Sequence, residues 1–257
     1  MISKVNVASI RELLEAGVHF GHKQSRRHPK MTPYISTFVK NNYPSHRSVD
    51  IIDLPQTVDL LKKACDALCD CARKGGRILF VGTKFQAKEA IQQAAERCGQ
   101  YYVNHRWLGG MLTNWKTVSS SIKRLQDIEA IIESPEFAYS KKEQLNHRRT
   151  QEKYQLSLGG LRTMGGVPDM LFVIDARKDA IAVREAKCLG IPVVGIVDTN
   201  INPETIDYPI VGNDDGLRAI QLYCRFASDA ILAGLAQEVE MMENAPKSPK
   251  ASRKKTD

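Results

Sequence analysis

Three short, uninterrupted runs of apolar residues constrain the fold of this 257-residue chain more than any other feature. They are RILFVG at 77–82, MLFVID at 170–175 and PVVGIVD at 192–198. Helical patterns follow the first two and end at Gly99 and Gly190. Strands without polar alternation are typical of parallel sheets that helices cover on both faces. Strands and helices that alternate over short connections therefore predict an α/β fold with right-handed crossovers.

The same pattern begins earlier and ends later in the chain. SVDIIDL at 48–54 predicts a strand of the same sheet, and Pro55 opens a helix that ends at Gly75. A C-terminal helix is predicted from Asp214 and Asp215 to about Val239. We favour helix capping as the role of these two carboxylates, because negative charge is stabilised at a helix N-terminus. A divalent-cation site or an acid–base pair is the alternative.

Residues 113–158 break this alternation, because helical periodicity continues there with no strand-like run. The first helix would end at Ser134-Pro135, and Ser140 with Glu143 has the form of a capping box for the second. The first helix has an apolar stripe of Val118, Ile122, Leu125, Ile128, Ile131 and Ile132. These features predict an inserted antiparallel helical hairpin, whose basic face is either solvated or in contact with RNA. Residues 1–112 and 159–240 would form one discontinuous α/β domain.

Positive charge is concentrated at the two ends of the chain. The net charge is +8, and the first 48 residues hold eight Lys or Arg against two acids. The last twelve residues hold five against one, with no large apolar residue. We expect residues 245–257 to be a disordered basic tail, because nothing in it offsets the entropy of ordering. Basic extensions of this kind are typical of proteins that bind polyanions.

Several other classes of protein are disfavoured. The chain has no apolar run long enough to cross a membrane and no recognisable secretory signal, so we expect a soluble cytoplasmic protein. The six cysteines fall mostly in helical patterns, and we expect them to be reduced. No arrangement of Ser, His and Asp with a nucleophile turn is present. We therefore predict no catalytic residue, no cofactor and no metal.

Two sites in the sequence could contradict that prediction. Gly82, Thr83 and Lys84 follow a strand, where nucleotides bind in such folds, but the loop lacks the four residues that wrap a phosphate. His19 and His22 supply only half of a metal site, and Cys69 and Cys71 are too close for a zinc knuckle. A nucleotide-dependent enzyme stays the rival hypothesis from another class, and an adaptor that binds mainly proteins is a third.

RNA binding is the function that the residue types favour. The N-terminal segment, residues 17–35, combines cations with apolar anchors. The segment YYVNHRWLGGMLTNWKT at 101–117 places both tryptophans beside basic and amide side chains. Such side chains stack on bases and contact phosphates. The predicted RNA-binding residues are Lys23, Arg26, Arg27, Lys30, Lys84, Arg106, Trp107, Asn114 and Lys116. A structural role for the two tryptophans, as anchors of the hairpin on the sheet, stays open.

The chain closely resembles the ribosomal small-subunit protein two family, in its bacterial or organellar form, from about Val5 to Leu235. The motifs that carry the resemblance are GVHFGH at 17–22, HPKMTPYI at 28–35, IIDLPQT at 51–57, ILFVGTK at 78–84, 101–117 above, LGGLRTMGGVPDMLFVID at 158–175 and 190–215. The resemblance implies a flavodoxin-like fold with a coiled-coil hairpin and no catalysis. It also implies contacts with the small-subunit ribosomal RNA and with other small-subunit proteins, including the largest one.

Overall fold

A computed structural model describes residues 8–36, 48–133 and 140–244, with side chains up to residue 239. The helices are α1 Ile10–Glu15, α2 Leu54–Arg73, α3 Lys88–Arg97, α4 Trp115–Glu133, α5 Lys141–Leu158, α6 Ala180–Cys188 and α7 Leu217–Asn244. The strands are β1 Phe20–Lys23, β2 Val49–Ile51, β3 Ile78–Val81, β4 Tyr101–Val103, β5 Met170–Val173, β6 Val193–Val197 and β7 Tyr208–Val211. The tail from 245 onward and the predicted break at Ser134-Pro135 lie outside the described residues.

The centre of the fold is a five-stranded parallel sheet in the order β4-β3-β5-β6-β7. Side chains alternate between its two faces, as strand geometry requires. Phe80 and Phe172 enter one core, with α2, α3 and α7, whereas Leu79 and Leu171 enter the other, with α6. The α/β prediction is confirmed, and the architecture is consistent with a flavodoxin-like fold. Strand order reverses between β3 and β5, where such folds bind ligands.

The strand prediction was wrong in one place and incomplete in three. Residues 49–51 form β2, but β2 pairs antiparallel with β1 in a separate two-stranded sheet and does not join the parallel one. Strand β1, of four residues, was not predicted. Strands β4 and β7 were not predicted either. Each is only three or four residues long, and β7 includes Pro209. β4 and β7 belong to the sheet only through pairing with parallel strands that are separate segments of the chain.

The two helices expected between β4 and β5 are present as α4 and α5, and they contact each other. The capping box is confirmed: the Ser140 hydroxyl accepts from the Glu143 N–H, and the Glu143 carboxylate accepts from the Ser140 N–H at 3.0 Å. Ile122, Leu125 and Ile128 are buried. That the pair forms an inserted unit distinct from the α/β domain stays a prediction.

Candidate functional site

Lys84 lies at the carboxyl edge of the sheet, in a closed network of carboxylates. Its ammonium nitrogen lies 2.6 Å from Asp215 Oδ1, 2.9 Å from Asp214 Oδ1 and 3.2 Å from Asp175 Oδ2. Burial opposes the charge, but these partners outweigh it and raise the pKa of Lys84. Burial, together with the neighbouring carboxylates of Asp175 and Asp198, raises the pKa of Asp214 to about 7. The ammonium is thus neutralised from within the protein.

This network corrects the expected role of Asp214 and Asp215 as helix caps. Both carboxylates contact Lys84, and α7 begins only at Leu217. The turn before the helix is closed instead by Asn213, whose Oδ1 accepts from the N–H groups of Asp215 and Gly216. The sequence shows two acidic residues near the start of a helix. It does not show that both contact the ammonium of Lys84.

The residues next to Lys84 also have contacts within the protein. Asp179 accepts from the Thr83 hydroxyl at 2.8 Å and from the Thr83 N–H at 3.2 Å. A Cβ at Gly82 would lie 2.8 Å from Ile91, so this glycine serves the close packing of α3 on the sheet. The groups that would contact a nucleotide phosphate already have intramolecular partners. This geometry offers no support to the nucleotide-binding hypothesis.

His22 lies at the border of the same network. Its Nδ1 is 2.9 Å from Asp198 Oδ2, and Nε2 is 3.6 Å from Asp215 Oδ2. The hydrogen bond with Asp198 is the main reason that the pKa of His22 is raised. His22, Asp198 and Asp214 offer ligand atoms that all lie within 4.8 Å of one another, so they could hold a divalent cation. Sequence analysis paired His22 with His19 and missed Asp198, whose only signal was its position at the end of an apolar strand.

The predicted RNA-binding cations of the N-terminal segment fall into two groups. One pairs with a buried carboxylate, and the others have exposed side chains. The Arg27 Nε lies 2.7 Å from Asp50 Oδ2, and a second guanidinium nitrogen contacts the other oxygen of this carboxylate. The Asp50 side chain is only 2% exposed, so Arg27 neutralises a buried charge. Lys23 and Arg26 are exposed, and Lys30 forms an exposed ion pair with Glu204. Arg27 therefore serves the fold, whereas the other three are open to solvent.

The buried carboxylate of Glu185 holds the turn at residues 107–113, called the tryptophan turn below. Glu185 Oε1 accepts from the Trp107 indole N–H at 3.1 Å and from the Gly110 N–H at 2.8 Å. Its Oε2 accepts from the Leu112 N–H at 2.9 Å and from both the N–H and the hydroxyl of Thr113 at 3.2 Å. Burial alone would raise the pKa of Glu185, but these hydrogen bonds outweigh it and lower it. No local sequence signal indicated this role of Glu185, because it lies far along the chain in α6.

Trp107 is therefore a structural anchor, since its side chain is buried in the core and its N–H is occupied. The other predicted residues of this segment are exposed at the turn and at the start of α4: Arg106, Asn114 and Lys116. Asn114 Oδ1 also accepts from the Thr117 hydroxyl at 2.9 Å. We accordingly remove Arg27, Lys84 and Trp107 from the RNA-binding set and keep the other six as a prediction.

Fold and site together define a doubly wound α/β protein whose usual ligand-binding edge is closed by its own ion pairs, with exposed cations in the flanking loops. Comparison with known proteins identifies the family. The family model for ribosomal protein S2 matches residues 13–234, and the chain belongs to this family.

Relatives match over most of the chain. The small ribosomal subunit protein uS2 of Agrobacterium fabrum is 54% identical over 230 residues, covering 90% of this chain and 88% of the relative. That of Dinoroseobacter shibae is 54% identical over 231 residues, covering 90% and 86%. That of Phenylobacterium zucineum is 55% identical over 228 residues, covering 89% and 75%. These findings confirm the resemblance inferred from the motifs.

Proposed function

We propose that the protein is a structural component of the small ribosomal subunit, which binds ribosomal RNA and neighbouring ribosomal proteins and catalyses no reaction. Family membership, together with relatives named small ribosomal subunit protein uS2, carries this proposal. The closed network around Lys84 agrees with it, because this edge presents no open cradle for a nucleotide. The protein would then reside on cytoplasmic ribosomes. Within the described residues, no helix is long and apolar enough to cross a membrane.

The RNA contacts would come from exposed cations on the N-terminal segment and beside the tryptophan turn. They are Lys23, Arg26, Lys30, Arg106 and Lys116, with Asn114 as a polar contact. Phosphate contacts of this kind make binding depend steeply on salt. With about six such contacts, affinity should fall on the order of a thousandfold between about 50 and 200 mM salt. An adaptor that binds mainly proteins would show little dependence on salt. The largest small-subunit protein is among the proposed protein partners.

Incorporation into small subunits tests the proposal. A variant with Lys23, Arg26 and Lys30 changed to Ala competes against wild type, and a variant with three other exposed lysines changed, Lys62, Lys63 and Lys74, is the charge-matched control. We expect the first to be excluded and the control to be incorporated normally. Truncation after Asn244 should be nearly neutral, because the tail offers charge without an apolar anchor. Equal incorporation of both triple variants would show that the N-terminal segment is not the RNA-binding surface.

A further inference from the structure

A groove of about 450 Å³ lies between α6 and the loops that follow β5 and β6. Arg26, Arg177 and Arg184 line it, and all three are exposed. No acidic residue lines the groove within the described part of the chain. The volume is in the range of ordinary ligand sites. The groove shares no lining residue with the network around Lys84, but it adjoins it, because the Arg177 N–H donates to Asp175 at 3.0 Å.

The three arginines differ from most others in the fold because they lack carboxylate partners. Among the residues that the structure describes, no salt bridge includes Arg26, Arg177 or Arg184, whereas Arg27 and Arg97, for example, each pair with an aspartate. Guanidinium groups that line one groove without carboxylate partners attract an anion, although Arg184 Nε also donates to the Ala180 carbonyl at 3.3 Å. Their planar forks bind phosphate oxygens in pairs. The rim of the groove is therefore suited to phosphate.

The floor of the groove is suited to a flat apolar group. Ala180, Val183 and Ile201 form part of it, and the last two are buried. Bases taken out of a helix stack on such surfaces and on arginine planes. Asn200 also lines the groove, and its Oδ1 is buried with no hydrogen-bond partner among the described residues. This oxygen has almost no exposed surface, so it is not a contact for the ligand.

We propose that this groove binds one unstacked nucleotide of ribosomal RNA, with its phosphates on the three arginines and its base on the apolar floor. The inference rests on the proposed function and deepens it by naming a binding site. Arg26 belongs to the N-terminal segment that also presents Lys23 and Lys30, so the groove continues the proposed RNA surface. This continuity favours RNA over an acidic protein segment.

The test measures binding of the full chain to a labelled single-stranded oligoribonucleotide, to an RNA duplex of equal length and to a poly-glutamate peptide. Arg177→Gln with Arg184→Gln removes two groove cations, and Arg11→Gln with Arg218→Gln is the control with the same loss of charge outside the groove. Ala180→Leu fills the floor without a change of charge. Thermal midpoints verify that every variant is folded.

We expect the groove double variant to lower the salt slope for single-stranded RNA by about 1.4, because each phosphate contact contributes about 0.7. Ala180→Leu should weaken binding by about 5-fold, the lower end of the effect of losing one stacked base because the floor is aliphatic, and leave the slope unchanged. The control should behave as wild type. Equal losses in the two double variants, loss confined to the duplex or the peptide, or no binding of single-stranded RNA by wild type would each overturn the inference. Incorporation of wild type into small subunits, measured in parallel, tests the proposed function separately.

Discussion

Replacing Glu185 by glutamine tests whether one carboxylate holds the tryptophan turn in place. The substitution keeps size and shape but exchanges one carboxylate oxygen for an NH₂ group. In either orientation of the amide, the side-chain NH₂ group faces two N–H groups of the protein that donate to the carboxylate in wild type. These are the Trp107 indole N–H and the Gly110 N–H on one side, and the Leu112 and Thr113 N–H groups on the other.

The expected loss follows from these unpaired donors. A buried donor left without an acceptor costs about 1–3 kcal/mol. In each orientation one buried and one partly buried donor are affected, so Glu185→Gln should lower the free energy of unfolding by about 1–3 kcal/mol for the buried donor and by less for the other. The Thr113 hydroxyl adds little, because this residue is exposed and water can replace the carboxylate. The turn should also lose its fixed geometry, and with it the placement of Arg106.

Urea unfolding measures the free-energy difference, and Glu89→Gln is the matched control at an exposed site. The control should change stability by less than about 0.5 kcal/mol. Near-ultraviolet circular dichroism reports the environment of the aromatic side chains, Trp107 among them, in the same samples. A loss for Glu185→Gln no larger than that of the control would refute the claim that this carboxylate organises the turn.

The same carboxylate predicts a pH dependence. The pKa of Glu185 in the folded protein lies below the ordinary glutamate value of 4.5, so folding favours the ionised form. Its stabilising contribution is complete above about that value and is lost as pH falls through the lower folded pKa. Wild type should therefore lose stability on acidification by more than Glu185→Gln, measured by urea unfolding at several pH values below about 5. If the free energies of unfolding of the two proteins changed in parallel with pH, this sign of the pH dependence would be contradicted.

Three further substitutions test the assignments made from the ion pairs and the core. Arg27→Ala should destabilise by about 3–5 kcal/mol because it leaves a buried aspartate unpaired, whereas its neighbour Arg26→Ala should leave urea unfolding almost unchanged. Lys84→Ala should lower the free energy of unfolding by a similar amount, whereas the control Lys63→Ala, at an exposed site, should not. Wild type should show no saturable nucleotide binding in a calorimetric screen. Leu125→Ala should cost about 2–5 kcal/mol, since the side chain is buried, and a change below about 0.5 kcal/mol would mean that the stripe on α4 is misassigned.

The main elements of the fold were predictable because their signals are local. The apolar runs that became β3, β5 and β6 are buried along their whole length, so each run identified its own strand. The capping box at Ser140 likewise depends on residues three apart. β2, by contrast, has an apolar pattern that fits either kind of sheet. Only its contact with β1 determines that it pairs antiparallel.

The sequence alone determined the residue types: where the cations are concentrated, which segments are apolar on both faces, and that no phosphate loop follows β3. The tertiary structure decided which of those cations remain available. Lys84 and Asp214 are 130 positions apart and form an ion pair at 2.9 Å, and Glu185 holds a turn some 75 positions away. Such pairs follow from the order of strands in the sheet, which brings the ends of distant segments to one edge. Periodicity contains no information about this order, so Arg27, Lys84 and Trp107 were indistinguishable in sequence from residues free to bind RNA.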